Sequence, residues 1–481
     1  MKSNTLISCL LIIALSSLLF SCENSVKQAR DTDLVIFFIN DNHAQIENFS
    51  KIKSIIDESA EKENVIIVHS GDMFSGNPLV DFHQERGYPV IDLMNRIGFD
   101  VAALGNHEFD YGQEVLKERI DQAEFEILCA NMKSESPLLE EVPASYTINK
   151  GGLKISFVGV IETNGKPGTF IPSTHPNKLE GLTFYDAGEI LGDYSDFKDE
   201  QEADLLILLS HLGHDSDDNG TCDYKAAGQF PFFDAIIGGH SHSIQDTTIN
   251  GVHIYQSGAY LNYLGKITLT VKKRKIISED FELINLDEYP SGDYEIQSLI
   301  DSYNNNPIFS EVIGTNSVHM TRNRTVGCFY TDALRGFLAT DMSIQNPGGI
   351  RSDLDEGEIT ILEIYRIDPF NNDLMEYEMT AGEIRAFLEG SGAGFYYSGV
   401  ILKNDPGYGV LIKDLEGNIY EDEHILTIAI NDYIPEIYEN YFPDPSVIYD
   451  MSTADAMIQY VRDLTVPLHY ENCNRYFRYQ E

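Results

Sequence analysis

The sequence predicts an α/β protein built from two domains. Its 481 residues are too many for one ordinary hydrophobic core, so a second domain is expected. In the first half of the chain, short apolar runs typical of buried strands alternate with helical segments. Polar clusters that carry Asp, Asn or His follow directly after five of these runs. Together these observations predict a layered sheet structure with a polar site at its strand ends.

The strands of the first half are predicted where β-branched and aliphatic residues dominate, at 34–39, 65–68, 101–104, 205–209 and 235–237. Helices are predicted between them, at 51–63, 89–97, 113–122 and 187–200. In an open sheet covered on both faces, the loops at one end of the strands converge on one crevice. From residue 241 to residue 284 the runs are short and alternating, which predicts an antiparallel meander that closes the domain.

The second half has its own pattern. A polar stretch near residues 286–306 predicts a linker with a helix at 294–304. Turn-rich clusters follow at 345–351 and 368–372, a helix is predicted at 381–389, and strands are predicted at 410–412 and 425–430. The predicted organisation is therefore a first domain at 33–286, a linker at 287–306 and a second domain at 307–481.

The N-terminus predicts export. Lys2 precedes an apolar run at 6–20 that is shorter than the roughly 20 residues of a membrane span, which indicates a signal peptide at 1–21. Leu19-Phe20-Ser21-Cys22 is similar to a bacterial lipobox, so we expect cleavage before Cys22, lipidation of that residue and a tether at 22–32. The alternative is an ordinary secretory signal with an incidental cysteine. The expected location is the bacterial cell envelope, on its periplasmic face or at the cell surface.

Charge and cysteine content narrow the function. The formal net charge of −44 argues against binding of a nucleic-acid polymer or of an anionic membrane surface, so membrane contact is expected only through the lipid anchor. A small anionic substrate would then be held locally, by metal ions and a few arginines. Cys129, Cys222, Cys328 and Cys473 allow three pairings, and their spacing selects none of them. The oligomeric state is left open.

The polar clusters predict two adjacent divalent-metal sites. Seven side chains of ligand type occur in them: Asp41, His43, Asp72, Asn106, His211, His240 and His242. Any one of these could be a turn or cap residue, but the whole set, a mixture of nitrogen and oxygen ligands, suits Zn, Mn or Fe. Asp72 stands alone in its loop, and its two oxygens make it the expected bridge. Asp41, His43 and His242 would complete one site, and Asn106, His211 and His240 the other.

Two metals about 3.5 to 4 Å apart can share a hydroxide that attacks phosphorus in line. His107 is adjacent to Asn106 in the chain and is predicted to stabilise the transition state rather than to bind metal. Asp110 could hold the imidazole of His107 in a protonated orientation, and its alternative is a cap of the helix at 113–122. Glu108 is expected to have a structural role.

These motifs resemble those of the calcineurin-like metallophosphoesterases, and the second half narrows the resemblance to the 5′-nucleotidase and 2′,3′-cyclic phosphodiesterase family. The resemblance covers nearly the whole mature chain. It implies an N-terminal layered αββα domain with two metals and a C-terminal α/β substrate-binding domain that rotates to deliver substrate. It also implies that the seven ligands, His107 and Asp110 have the roles of the matching family residues.

The resemblance also implies a substrate pocket on the second domain. Asn346 and Arg351 match the family element Asn-x-Gly-Gly-x-Arg, and Arg324 aligns with a family arginine just before a helix. Phe370 and Tyr433 match two aromatic residues that hold a nucleobase between them, although each could instead be core packing. After Tyr433 the family continues into a Gly-Gly-Asp-Gly loop that binds ribose, and this chain departs from that pattern.

The predicted function is metal-dependent hydrolysis of phosphate monoesters, with 5′-nucleotides as the leading substrates and nucleosides and phosphate as products. The same chemistry could act on cyclic nucleotides, nucleotide sugars or another phosphate or thiosulfate ester. A noncatalytic nucleotide-binding lipoprotein is the alternative of a different class. Loss of a metal ligand or of His107 would favour that alternative, and neither is lost.

Overall fold

The computed structural model describes residues 31–59, 64–140, 142–215 and 220–480. The predicted signal peptide, Cys22 and nearly all of the predicted tether lie outside these residues. Within the described ranges, the structure contains no helix with the length and apolar character that a bilayer span requires.

The first sheet carries three of the predicted strands. Its strands, numbered in chain order, are β1 (Thr32–Ile39), β2 (Val65–His69), β3 (Val101–Ala103), β4 (Glu126–Leu128), β13 (Tyr263–Lys272) and β14 (Lys275–Asn285). They lie in the order β14-β13-β1-β2-β3-β4. β1 to β4 are parallel, and β13 pairs antiparallel with β1.

The second sheet carries the other two predicted strands. It contains β6 (Ser145–Lys150), β7 (Leu153–Ile161), β9 (Leu205–His211), β10 (Ala235–Ile237), β11 (Ile244–Ile249) and β12 (Val252–Ser257). The order is β11-β12-β10-β9-β7-β6. A separate pair joins β5 (Met132–Ser134) to β8 (Leu182–Phe184). The ligand-bearing strands are therefore divided between two sheets and do not belong to one open sheet.

The two sheets pack face to face. Ile36 and Phe38 of β1 share a fully buried cluster with Ile207 and Leu209 of β9. Helices cover the outer face of the first sheet: α1 (Phe49–Glu58), α2 (Pro78–Asp81), α3 (Tyr88–Ile97) and α4 (Gln113–Gln122). The outer face of the second sheet is covered by α5 (Ala187–Ile190), α6 (Phe197–Glu200) and α7 (Asp223–Gln229). The result is the αββα layering that the resemblance implied.

Two local predictions are wrong. The segment 187–200 is not one helix, since α5 and α6 are separated by a 3-10 turn at Leu191–Tyr194, and Gly188 and Gly192 lower the helix propensity there. The region 241–284 is not one meander either, because β11 and β12 form a hairpin in the second sheet and β13 and β14 form one in the first. Alternating polarity reports which face of a strand is buried, and it does not report the sheet to which the strand belongs.

α8 (Tyr294–Asn304) follows β14 and packs on the first domain, where Ile296 and Ile300 join the core beneath α1 and α3. Beyond α8, β15 (Val312–Asn316) pairs antiparallel with β17 (Gly357–Thr360) in a two-stranded sheet. A further sheet follows, made of β16 (Met342–Gln345), β18 (Asp373–Thr380), β19 (Gly394–Ser398), β22 (Ile425–Asn431), β23 (Val447–Ser452) and β24 (Tyr476–Arg478). Its order is β23-β18-β22-β16-β19-β24.

The second-domain sheet is covered on both faces. One face packs against α9 (Thr325–Leu338), α10 (Ile361–Ile367) and α13 (Thr453–Asp463). The other packs against α11 (Ala381–Gly390) and the hairpin of β20 (Ile401–Asp405) with β21 (Gly409–Lys413). α12 (Tyr433–Ile437) begins just after β22. A disulfide joins Cys328 in α9 to Cys473 in the C-terminal tail, while Cys129 and Cys222 are buried thiols.

Candidate metal centre and substrate cavity

The predicted metal ligands meet at one edge of the paired sheets. Each belongs to the C-terminal end of β1, β2, β3, β9 or β10 or to the loop that follows it, and His211 is the last residue of β9. Their carboxylate oxygens and imidazole nitrogens form two groups, each within 4.8 Å: Asp41, His43, Asp72 and His242, and then Asp72, His211 and His240. This division is the one expected from the sequence, and Asp72 belongs to both groups.

Asp72 lies between the two groups. Its Oδ2 is 3.1 Å from Nε2 of His211 and 3.8 Å from Nε2 of His43. Its Oδ1 accepts a hydrogen bond of 2.9 Å from the backbone N–H of His107. One carboxylate oxygen is thus fixed by the backbone while the other faces both ligand groups, which is the arrangement a bridging ligand needs.

Asn106 completes the second group. Its Oδ1 is 3.0 Å from Nδ1 of His240. Its Nδ2 donates to the carbonyl of Ser173 at 3.0 Å, and this hydrogen bond directs the amide oxygen inward. The position is therefore built to present an oxygen to the same space as His240 and His211.

The histidines are oriented as metal ligands usually are. Nδ1 of His43 lies 3.1 Å from the carbonyl of Ser75, and Nδ1 of His211 lies 2.7 Å from the carbonyl of Ser70. A proton on each Nδ1 leaves the Nε2 lone pair free for a cation. Nε2 of His211 is buried, and it faces Oδ2 of Asp72 at 3.1 Å without the angles of a regular hydrogen bond. Nε2 of His43 and Nε2 of His242 are only 2.8 Å apart.

Electrostatics also favour bound cations. Burial raises the pKa of Asp41 to about 7, and the nearby Asp72 adds to that shift. Burial opposes protonation of His211, yet the adjacent Asp72 carboxylate raises the pKa of that imidazole to about 10. Burial holds the pKa of His43 well below its usual range, so this imidazole is neutral and able to ligate. Buried carboxylates this close together call for positive charge, which divalent ions supply.

The ligand loops have unusual backbone geometry. Positive φ occurs at five ligands that are not glycine: Asp41 (50°), His43 (47°), Asp72 (61°), His240 (72°) and His242 (53°). Such conformations cost free energy in residues with a Cβ, and they concentrate at functional sites. Gly239 precedes His240, and a Cβ added there would lie 2.8 Å from Nδ1 of His211, so this position requires glycine. The ligand loops thus place their side chains at the site at a cost in backbone conformational free energy.

Glu108 holds the loops together, in line with its expected structural role. Its buried carboxylate accepts hydrogen bonds from the backbone N–H groups of Asp72 at 2.9 Å and of Met73 at 2.6 Å. It also accepts one from Gly105. The loop after β2 and the loop after β3 are thereby fixed to each other.

His107 and Asp110 form a hydrogen-bonded pair beside the ligands. Nδ1 of His107 lies 2.6 Å from Oδ2 of Asp110, and Nε2 of His107 lies 4.0 Å from Oδ2 of Asp72. Although burial opposes it, Asp110 raises the pKa of His107, which favours an imidazolium. Asp110 is not the cap of α4, because Gly112 occupies that position.

The two domains share one cavity of about 280 Å³ beside these residues. This volume is near the lower end for small-molecule sites. The first domain contributes metal ligands, His107 and Asp110, and the second contributes a wall made of Asn346, Gly348, Gly349, Arg351, Phe370, Asn372 and Tyr433. The guanidinium of Arg351 lies 5.7 Å from the ring centroid of Phe370. The Phe370 ring is stacked on His107, with centroids 5.8 Å apart.

Two residues that the family pattern associates with the substrate pocket, Arg324 and Glu439, lie outside the cavity. Arg324 is exposed at the N-terminus of α9 and does not line the cavity. Glu439, near the place of the family's ribose-binding carboxylate, lies 3.2 Å from Nζ of Lys166 and is also outside the cavity.

Sequence reasoning missed several residues of the site. Ser173, Thr174, His175 and Lys178 line the cavity. They come from the connection between β7 and β8, which includes a 3-10 helix at Pro176–Leu179 and has no recognisable motif. Tyr260 packs against His43 and His242, with both pairs of ring centroids 5.2 Å apart. No periodicity or spacing marks these positions, although Lys178 is a cationic side chain in a strongly acidic chain.

Comparison with known proteins agrees with this architecture. Residues 34–243 match the family Calcineurin-like phosphoesterase, and residues 309–441 match the family 5′-nucleotidase, C-terminal domain. The first match defines the class of the metal-bearing domain. With both domains in this order, the chain belongs to the 5′-nucleotidase family of metal-dependent phosphoesterases.

Individual relatives are distant. Endonuclease YhcR of Bacillus subtilis (strain 168) is 26% identical over 456 residues, which cover 86% of this chain and 37% of that protein. The chain thus spans little more than a third of that relative. A 5′-nucleotidase of Vibrio vulnificus (strain CMCP6) is 24% identical over 461 residues, with 81% of each chain covered. The structure of a 5′-nucleotidase precursor from Thermus thermophilus superposes with a TM-score of 0.80 at 21% identity, covering 92% of this chain and 98% of that one.

Proposed function

We propose that the protein hydrolyses phosphate monoesters with two divalent metal ions, and that 5′-nucleotides are its leading substrates. Nucleosides and phosphate would be the products. The observation that carries this proposal is the shared cavity, in which the ligand groups and the pair of His107 and Asp110 face Arg351 and Phe370 of the second domain.

The seven predicted ligands would hold the metals: six of them form the two groups that share Asp72, and Asn106 lies beside His240 of the second group. The mixture of imidazole, carboxylate and amide ligands suits Zn, Mn or Fe. When bound, such ions act as Lewis acids that polarise a phosphoryl oxygen and lower the pKa of water.

The protein's own groups would orient the substrate around the ions. The planar guanidinium of Arg351 suits bidentate contact with phosphoryl oxygens, and Asn346 lies in the same cavity wall. His107, held by Asp110, would donate a hydrogen bond to a phosphoryl or leaving oxygen. Phe370 and Tyr433 offer aromatic faces to a nucleobase.

A second candidate keeps the chemistry and changes the substrate. Glu439 is paired with Lys166 outside the cavity, so the family's ribose contact has no counterpart at this position. Cyclic nucleotides, nucleotide sugars or another phosphate or thiosulfate ester are therefore alternative substrates. From the resemblance alone, we predict that Arg324 contacts the substrate. The effect of Arg324→Ala on KM tests this prediction.

The test compares the hydrolysis of AMP, 2′,3′-cyclic AMP, UDP-glucose and p-nitrophenyl phosphate by protein reconstituted with Mn or Zn. Products are separated by chromatography, because ring opening of the cyclic nucleotide and pyrophosphate cleavage of UDP-glucose release no inorganic phosphate. AMP is expected to be the best substrate, and Asp72→Asn should lower the rate about 100-fold or more together with metal content. The control is Asp121→Asn, an exposed carboxylate on α4 paired with Lys117. Unchanged activity in Asp72→Asn would rule out the bridging role, and cleavage of another ester without AMP cleavage would change the substrate assignment.

We further propose export and lipid attachment at Cys22, with a first domain at 33–286, a linker at 287–306 and a second domain at 307–481. The disulfide between Cys328 and Cys473 supports an oxidising compartment. Expression of Cys22→Ala in a bacterial host should move the protein from the membrane fraction to the soluble fraction, and persistence in the membrane would contradict the anchor.

A further inference from the structure

Residues 173–178 lie between the metal centre and the second domain. On the metal side, the carbonyl of Ser173 accepts the Asn106 amide at 3.0 Å. Thr174 Oγ1 donates to Oδ1 of Asp110 at 2.8 Å, while Oδ2 of the same carboxylate binds His107. Lys178 Nζ donates to the carbonyl of Asp110. The segment thus fixes both a metal ligand and the orienting carboxylate.

The other side of the segment contacts the second domain. Nε2 of His175 lies 3.3 Å from Oδ2 of Asp432, and its ring lies edge-on to Tyr433 with centroids 6.2 Å apart. Lys166, earlier in the same loop, donates to the carbonyl of Glu436 at 3.2 Å and pairs with Glu439. The contacts of this loop therefore reach Asp432 and α12, next to the Tyr433 wall of the cavity.

The segment is well anchored. Thr174 and His175 are 3% and 7% exposed. The carboxylate of Glu162 accepts hydrogen bonds from the backbone N–H groups of Asn164 at 2.6 Å and Ser173 at 2.5 Å, which closes the base of the loop. Because Thr174 and His175 are neighbours in a buried segment, a displacement of one is transmitted to the other.

We propose that residues 173–178 couple the seating of the second domain to the orientation of the His107 and Asp110 pair. Thr174 and His175 are then positioning residues: His175 responds to Asp432, and Thr174 sets the carboxylate that holds His107. The inference rests on the phosphoester hydrolysis of the proposed function and is independent of the choice of nucleotide.

The first test removes one hydroxyl. Thr174→Val keeps the shape of the side chain and is expected to lower kcat for p-nitrophenyl phosphate about tenfold, with KM within about twofold, as loss of a hydrogen bond to a charged group predicts. Thr174→Ser should restore kcat. Metal content should match the wild type in both. A wild-type kcat in Thr174→Val, or no recovery in Thr174→Ser, would overturn the role of Thr174.

The second test measures coupling across the domains. Asp432→Ala should lower kcat as Thr174→Val does, and the double variant should be no slower than the slower single variant, since both changes release the same carboxylate. Losses that multiply in the double variant would overturn the coupling. The control is Asp463→Ala, an exposed carboxylate at the end of α13, combined with Thr174→Val.

Amide hydrogen exchange gives a readout that does not depend on turnover. Asp432→Ala is expected to accelerate exchange at residues 107–113 of the first domain, although the substitution lies in the second. Unchanged exchange there would overturn the coupling even if the substrate assignment proved wrong. Absence of any phosphoester hydrolysis by the wild-type protein would instead count against the proposed function alone.

Discussion

Nη2 of Arg351 lies 3.4 Å from Nε2 of His43, so a guanidinium of the second domain reaches a candidate metal ligand of the first. The backbone N–H of Arg351 donates to the carbonyl of Ile367 at 2.9 Å, which fixes the residue beside α10. A phosphoryl group bound at the metal centre would therefore be within reach of both domains at once.

Arg351→Lys should lower kcat/KM for the best substrate about 10-fold to 100-fold, because an ammonium cannot replace a planar fork that contacts two oxygens and stacks on Phe370. Steady-state kinetics provide the measurement. Arg462→Lys is the matched control, since Arg462 is partly exposed and pairs with Glu311. Equal kcat/KM for Arg351→Lys and wild type would remove Arg351 from phosphate binding.

Chelation of divalent ions should lower both activity and the thermal midpoint. The ligand loops combine positive φ with buried carboxylates, and bound ions offset both costs. Ions at 100 times their dissociation constant would add about 2.7 kcal/mol to the free energy of unfolding. Calorimetry over a Mn or Zn series measures this shift, and a shift of the same size in Asp72→Asn would contradict binding at the Asp72 bridge.

Asp368 should make stability fall as the pH rises. It is buried and accepts hydrogen bonds from Tyr330 and Thr453, and burial raises its pKa from 3.8 to about 6. Because the folded state binds this proton more tightly than the unfolded state, the contribution is complete below pH 4 and is lost as the pH passes 6. The loss is up to about 3 kcal/mol.

Urea unfolding at pH 4 and pH 7 tests this expectation. The difference between the two free energies of unfolding should shrink in Asp368→Asn and remain in Asp301→Asn, an exposed carboxylate on α8. The same difference in wild type and Asp368→Asn would show that Asp368 titrates normally.

Cys473→Ser should lower the free energy of unfolding by about 4 to 5 kcal/mol, because the disulfide with Cys328 spans 145 residues of sequence and restricts the unfolded chain. Urea unfolding gives the value. Reductant should destabilise the wild type to a similar extent and leave Cys473→Ser unchanged. A variant as stable as the oxidised wild type would contradict a stabilising cross-link.

The sequence predicted the metal-bearing strand ends because two signals coincided there. Apolar runs such as 34–39 mark buried strands, and the residue types after them, such as Asp41 and His43, have few roles other than ligation when they cluster. Because each of these residues follows the C-terminal end of a strand, all of them are expected at one edge of the sheet structure. The structure brings all seven predicted ligands to that edge.

Features that depend on tertiary partners could not be predicted. The sheet that β9 joins is set by its pairing with β7 and β10, which the sequence of β9 alone does not specify. The pairing of Cys328 with Cys473 depends on where the C-terminal tail meets α9. Thr174 acts through a hydrogen bond to Asp110 that no local pattern encodes.

The disulfide also has a practical consequence for handling the protein. The turn between β20 and β21 carries Tyr408 at 79% exposure, and it lies within the stretch that Cys328 and Cys473 enclose. A single protease cut at this turn would leave both pieces covalently joined. The cleaved protein would migrate as one band on a denaturing gel until a thiol reductant released two.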